Sequence, residues 1–125
     1  MVEAIADLPP GTLGFRASGT ITREEYKEHI LAPLRQALEG GGRLNILFVM
    51  AGDLGFEAGA LWEDVKAAGT LGLEHRSSWG RMAVVSDKEW VKQAVAAFGW
   101  ASPGEIRAFG TDRVEEARGW ATTTA

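Results

Sequence analysis

A single α/β domain with a mixed, mostly parallel sheet is predicted by three observations. The chain has 125 residues, which suits one domain and is short for two. Strand-like runs alternate with helical patterns, which predicts crossovers between parallel strands. Residues 43–50 are almost continuously apolar, as in a central strand buried on both faces. The predicted order is β-β-α-β-α-β-α-β-α, an N-terminal hairpin strand followed by about four helices.

The first residues predict a hairpin. Residues 2–7 and 13–19 alternate weakly between apolar and polar side chains, as half-buried strands do. Between them, Pro9-Pro10-Gly11-Thr12 is typical of a turn, because proline restricts φ and glycine relaxes it.

A helix is predicted after the hairpin. Thr22 and Glu25 have the spacing of a capping box, in which the threonine oxygen accepts a backbone N–H at the helix start. Apolar residues then follow the helical period as far as Leu38, and three glycines end the helix. Pro33 lies inside this pattern and either kinks the helix or divides it in two.

The remaining sequence continues the alternation of strands and helices. The predicted elements are a loop at 51–56, a second helix with apolar positions from 58 to 72, a strand at 81–85, a third helix with apolar positions from 90 to 98, a strand at 105–109 and a closing helix reaching residue 120. Ser86 or Asp87 is expected to cap the third helix. We expect residues 1–121 to form one domain and residues 122–125 to fray.

Composition excludes several classes of function. Lys and Arg number 13 against 17 Asp and Glu, a net charge of −4, which argues against a general nucleic-acid binder. The chain has no cysteine, so disulfides, thiolate metal sites and thiol catalysis are excluded. Its longest apolar run, residues 44–51, is far below the roughly 20 residues of a spanning helix, and the N-terminus has no signal-peptide pattern. We expect a cytoplasmic protein.

Catalytic and metal-binding patterns are not found. His29 and His75 are the only histidines and lie in different elements, without the spacing of metal ligands. The serines do not form a nucleophile elbow, and helix capping explains Ser86. Adjacent carboxylates on helices diverge by about 100° and do not face each other. We therefore expect neither catalytic residues nor a metal or other cofactor.

Several short motifs occur in a particular order along the chain. They are Tyr26 and Pro33 in the first helix, residues 45–50, Gly55-Phe56, residues 61–66, residues 81–87 with Trp90, Arg107-Ala108-Phe109, Glu116-Ala117 and Trp120. Each is weak alone, but together they cover almost the whole chain. Their order resembles the STAS domain of anti-anti-sigma factors and, more closely, the SpoIIAA-like family of small bacterial proteins.

The resemblance implies a STAS-like fold that is also related to CRAL-TRIO lipid carriers. It implies homodimers, binding of an apolar ligand or a membrane surface, and no enzymatic activity. Anti-anti-sigma factors carry a phosphorylatable Ser or Thr after the central strand, but residues 51–59 contain no hydroxyl group. A kinase-switched pathway is therefore not expected. Asp53 either mimics a constant negative charge or interacts favourably with the dipole of the next helix.

The tryptophans and their neighbours predict a contact surface. Trp79 lies in a segment that mixes leucines with Arg76 and Arg81, a composition that favours a membrane interface. A surface loop with one tucked ring is the simpler explanation, because partly buried tryptophan is common. An apolar pocket between the second and third helices would suit an acyl or aromatic group. The candidate ligand or membrane contacts are Phe56, Trp62, Val65, Leu71, Leu73, Arg76, Trp79, Arg81 and Trp90, with the two arginines as carboxylate or head-group anchors.

Three hypotheses follow from the sequence. The leading one is a non-enzymatic module that binds an apolar small ligand or sits peripherally on a membrane. The alternative is a regulatory module that docks a protein partner through Asp53, Leu54 and Phe56, in the predicted loop after the central strand. The third, an enzyme with an unrecognised site, is opposed by the absence of a catalytic constellation.

Overall fold

The computed structural model describes residues 1–40, 43–56, 79–98 and 104–122. Five strands form one sheet: β1 (Val2–Ala4), β2 (Thr12–Ile21), β3 (Leu44–Phe56), β4 (Trp79–Val85) and β5 (Glu105–Phe109). Helix α1 runs through three consecutive segments, Arg23–Tyr26, Lys27–Leu31 and Ala32–Glu39; α2 is Glu89–Phe98, and α3 is Val114–Thr122 after a 3-10 turn at Thr111–Arg113. The predicted helix at 58–72 lies outside the described residues.

The sheet confirms the predicted fold class. Its strand order is β1-β2-β3-β4-β5, with β1 antiparallel to β2 and every other pair parallel. Helix α1 connects β2 to β3, and α2 connects β4 to β5, in the same direction across the sheet. Because crossovers between parallel strands are right-handed, both helices lie on one face. Helix α3 packs on the other face, against β3 and β4.

The N-terminal hairpin is confirmed. The Thr12 N–H donates to the Pro9 carbonyl oxygen at 3.1 Å, which closes the predicted turn. Gly11 has a φ of +87°, a conformation open mainly to glycine, as the third position of a type II turn requires. Strand β1 then pairs with β2 over Val2–Ala4, where Val2 lies opposite Ala17.

Helix α1 is continuous through Pro33. Its predicted N-cap is confirmed, since the Glu25 N–H donates to Thr22 Oγ1 at 3.1 Å. The segment Lys27–Leu31 is π-helical, and the Ala32 N–H donates to the Lys27 carbonyl, five residues earlier. A proline ring collides with the carbonyl four residues before it in an α-helix. The wider turn just before Pro33 relieves that crowding, so the helix neither ends nor divides there.

The central strand is longer than the sequence predicted. Residues 51–56, predicted as a loop, continue β3 as far as Phe56. Strand β2 likewise continues to Ile21 and supplies backbone partners, with Ser18 opposite Ala51 and Ile21 opposite Phe56. Between those pairs, the single residue Gly19 of β2 lies opposite three residues of β3, 52–54, which form a bulge. Gly19 has a φ of +67°. The prediction failed because local pattern does not reveal how far a neighbouring strand extends.

Two apolar layers lie on the two faces of the sheet. Alternate side chains of β3 serve both layers, with Leu44 and Ile46 on the α1 face and Leu47 and Val49 on the α3 face. The α1 layer also contains Phe15, Ala17, Ile21, Ile30, Leu31, Leu34 and Leu38. The α3 layer contains Ala83, Val85, Phe109, Ala117 and Ala121, with Ile5 and Leu8 packed against it. The predicted burial of β3 on both faces is therefore confirmed.

Asn45 interrupts the apolar strand for a structural reason. Its side chain is only 6% exposed, and its Oδ1 accepts the Arg81 N–H at 2.8 Å. Leu44 pairs with Trp79 and Ile46 with Met82, so Asn45 alone faces Gly80 and Arg81, which form a bulge in β4. A Cβ on Gly80 would collide with Asn45 Oδ1 and lie 3.0 Å from the Leu44 carbonyl oxygen.

Replacing this glycine tests the role of the bulge. Gly80→Ala should lower the free energy of unfolding by about 1–3 kcal/mol, because the methyl group displaces the Asn45 amide. Gly119→Ala is the matched control, since a Cβ there meets nothing within 4 Å. In the interior of α3 this control should stabilise the protein by about 0.5–1 kcal/mol. Urea unfolding of both variants measures the difference, and equal stabilities would contradict the assigned packing.

Candidate functional site

Trp79 begins β4 and lies opposite Leu44. The strand thus starts two residues earlier than predicted. Its half-buried side chain packs against the apolar layer on the α1 face. The indole nitrogen Nε1 is itself buried and has no hydrogen-bond partner within the part of the chain that the structure describes. A buried donor in apolar surroundings therefore lies at the amino end of β4.

Arg81 lies on the opposite face from Trp79. Its guanidinium carbon is 5.1 Å from the Trp120 ring centroid, and its Nη1 donates to the Trp120 carbonyl oxygen at 3.1 Å. Its Nε lies 3.7 Å from Glu105 Oε2. Regular alternation would place residues 79 and 81 on one face. The bulge at Gly80 separates them, so the structure does not bring the two predicted contacts together.

Further charged groups lie on the α3 face. The Arg107 guanidinium carbon lies 5.5 Å from the Trp120 ring centroid. Arg113 donates two hydrogen bonds of 2.6 Å to the Glu116 carboxylate. These bonds lower the pKa of Glu116 and raise that of Arg113. Because this pair is exposed, its contribution to stability is small.

Phe56 and Trp90 lie at the other end of the sheet. Phe56 ends β3, whereas Trp79 pairs with Leu44 at its beginning. At about 3.3 Å per residue, these two ends of β3 are roughly 35–40 Å apart. Trp90 is in the first turn of α2, just after the carboxyl end of β4. The other predicted contacts, Trp62, Val65, Leu71, Leu73 and Arg76, lie outside the described residues.

The predicted partner segment belongs to the end of β3. Asp53 and Leu54 lie in the bulge opposite Gly19, and Phe56 pairs with Ile21. The backbone here is a paired strand with a local irregularity, and not a free loop. Bulges are frequent beside functional sites, because they interrupt regular pairing and redirect side chains.

A polar link at the carboxyl ends of β4 and β5 was missed by sequence reasoning. The Asp87 carboxylate accepts hydrogen bonds from the Thr111 N–H, at 3.1 Å, and from the Thr111 hydroxyl. Asp87 therefore joins two loops, while the buried Ser86 Oγ accepts the Lys88 N–H just before α2. The available signal was that Asp87 and Thr111 each lie two residues after a strand, and that these strands end at the same edge of a parallel sheet.

The described residues contain no group of three or more His, Asp or Glu side chains placed to hold a metal ion. His29 is exposed on α1. None of the helices in the described ranges is long and apolar enough to cross a membrane.

The Asp87–Thr111 link should make stability depend on pH. The Thr111 hydroxyl is the main cause that holds the pKa of Asp87 below its ordinary value, so its hydrogen bond favours the ionised carboxylate. The contribution of this hydrogen bond to the free energy of unfolding is fully present above the pKa of Asp87 in the unfolded chain. It disappears as the pH falls through the lower pKa of Asp87 in the folded protein. Thr111→Val should lower stability at pH 7 and have progressively less effect below about pH 4.

Denaturant unfolding across this pH range measures that difference. Thr111→Ser retains the hydroxyl and should stay close to the wild type at every pH. A deficit in the valine variant that is constant with pH would show that lost packing, and not the hydrogen bond, accounts for its effect.

Comparison with known proteins identifies the fold family. A solved structure from Shewanella loihica PV-4, described as an uncharacterised protein of the DUF3478 family with a SpoIIAA-like fold, matches with a TM-score of 0.71 and 27% identity. The match covers 96% of this chain and 93% of that one. The comparison with curated proteins found no significant match. The SpoIIAA-like family profile matches residues 12–122, and the chain therefore belongs to the SpoIIAA-like family.

Proposed function

We propose that this protein is a non-enzymatic binding module that takes an apolar ligand or a membrane surface at the Trp79 end of its sheet. The observation that carries the proposal is the buried Trp79 Nε1, which has no hydrogen-bond partner among the described residues. Its surroundings are apolar, because the ring packs against the α1 layer. An apolar wall with one polar donor is the usual composition of a small-molecule site.

The indole N–H supports a ligand with an oxygen acceptor. A buried donor without a partner costs about 1–3 kcal/mol relative to one that is paired. A carboxylate, ester or phosphate oxygen on an apolar molecule would remove that cost. The sequence immediately before Trp79 supplies suitable neighbours, namely Leu71, Leu73 and Arg76.

The two predicted anchors take different roles in this proposal. Arg81 contacts Trp120 and Glu105 on the opposite face, where its charge stabilises the packing of α3. Arg76 is the proposed partner for a carboxylate or head group near Trp79. The protein would work in the cytoplasm, either as a carrier or as a peripheral membrane protein.

Replacing the indole by a phenyl ring tests the site. Trp79→Phe keeps an aromatic ring but lacks the N–H, so its affinity for oleate should fall by about fivefold or more, the equivalent of one hydrogen bond. Native mass spectrometry of the protein with added oleate measures this. Flotation with phosphatidylcholine and phosphatidylglycerol vesicles measures membrane binding.

Trp120→Phe is the matched control, because it changes a tryptophan on the other face of the same sheet. It should bind oleate and vesicles as the wild type does. Circular dichroism and thermal melting establish that each variant is folded. Equal binding by both variants, or no binding by the wild type to either probe, would refute the proposed site.

A second candidate function is docking of a regulatory protein at the end of β3. The bulge at residues 52–54, opposite Gly19, favours it, because the irregular backbone there carries the acidic Asp53. A basic surface on the partner would complement this charge.

Charge reversal distinguishes this second candidate. Asp53→Arg should abolish the capture of a specific partner in cross-linking experiments, since a cationic side chain repels a basic surface. Glu39 is exposed at the end of α1, so Glu39→Arg should leave the capture of the partner unchanged. Equal capture by both variants would argue against docking at this position.

A further inference from the structure

Strand β5 forms one edge of the sheet. In the part of the chain that the structure describes, β5 pairs only with β4. We propose that β5 also pairs antiparallel with β5 of a second copy, about a twofold axis at Ile106, to give one continuous sheet across a homodimer. The proposal is independent of the ligand proposed for Trp79.

The direction of the Phe109 carbonyl shows which backbone groups face outward. Ser86 N–H donates to the Phe109 oxygen at 3.0 Å, so the polar backbone groups of Phe109 face β4. In a strand this direction alternates from one residue to the next. The N–H and C=O groups of Glu105 and Arg107 therefore also face β4. Those of Ile106 and Ala108 face away from the sheet and can pair with another strand.

Geometry restricts the possible registers of two β5 strands. Side chains directly opposite each other in an antiparallel pair lie on the same face, so Glu105 can meet only Glu105, Arg107 or Phe109 of the second copy. Pairing Glu105 with Glu105 brings two glutamates together. Pairing Glu105 with Phe109 brings the two copies of Arg107 together. Only the register centred on Ile106 places Glu105 against Arg107 of the second copy, and it does so twice.

The outward backbone groups agree with the same register. The two copies of Ile106 would exchange both of their hydrogen bonds, because their N–H and C=O groups face the second strand. The Glu105–Arg107 positions would then form the non-hydrogen-bonded pairs, in which side chains approach most closely. Backbone direction therefore permits this register, and the charges favour it over the other two.

Both charged side chains are placed to reach across the edge. The Glu105 side chain is 61% exposed, and Arg107 is also exposed. Both are held on the α3 face, Glu105 by Arg81 and Arg107 by the Trp120 ring. In the dimer, each Glu105 carboxylate would lie between Arg81 of its own chain and Arg107 of the second copy.

Exposed sheet edges are commonly protected by charges that repel a second strand. The order Glu-Ile-Arg does not repel a copy of itself, because reversing the strand brings opposite charges together. The other edge, β1, pairs over only three residues and offers a much shorter template. A second copy of this chain is therefore the partner that the β5 edge fits.

Charge exchange tests the interface. Glu105→Arg and Arg107→Glu should each weaken dimerisation about tenfold or more, because each creates two pairs of like charges. The double variant that exchanges the two charges should restore it. An equimolar mixture of the two single variants should form a heterodimer, since one chain then carries two arginines and the other two glutamates. Sedimentation velocity of the full chain and native mass spectrometry measure these species.

Two further variants complete the test. Ala108→Pro removes an outward N–H without removing a hydrogen bond to β4, so it should also produce monomers, whereas Glu28→Arg on α1 should remain dimeric. Thermal melting establishes that each variant is folded. A monomeric wild type, a dimer that no β5 variant weakens, or the failure of the mixed single variants to associate would overturn the proposal.

Discussion

The buried strand β3 holds the fold together, because it pairs with a neighbour on each edge and contributes side chains to both apolar layers. Leu44 and Ile46 contact one layer, and Leu47 and Val49 contact the other. An unpaired polar group in such a strand would be costly, so Asn45 is tolerated because its amide oxygen accepts the Arg81 N–H. The same hydrogen bond stabilises the bulge in β4.

The two bulges beside β3 decide which residues can act together. At its beginning, the bulge at Gly80 places Trp79 in the α1 layer and Arg81 beside Trp120. At its far end, the irregularity opposite Gly19 contains Asp53. The regions proposed for an apolar ligand and for a protein partner therefore lie at opposite ends of one strand, where neither blocks the other.

The two faces of the sheet differ in the side chains that cover them. Arginines from two strands meet the Trp120 ring there, while an extended apolar layer covers the α1 face. Guanidinium groups stack on indole rings with their charge still hydrated at the surface. This contact orders Arg107 beside Glu105 at the sheet edge. The same packing that attaches α3 to the sheet thus presents opposite charges on β5.

The sequence by itself determined the α/β class, the N-terminal hairpin, the double burial of β3, the Thr22 cap and the family, because these depend on local periodicity and on motif order. Tertiary structure alone decided how Pro33 is accommodated, how far β3 extends, and that Asp87 bonds Thr111. It also separated Phe56 from Trp79 and placed Arg81 on the other face. Pro33 is accommodated by the widened turn of α1, whereas the other features depend on which strands pair and in what register, and these are set by partners distant in sequence that local patterns do not encode.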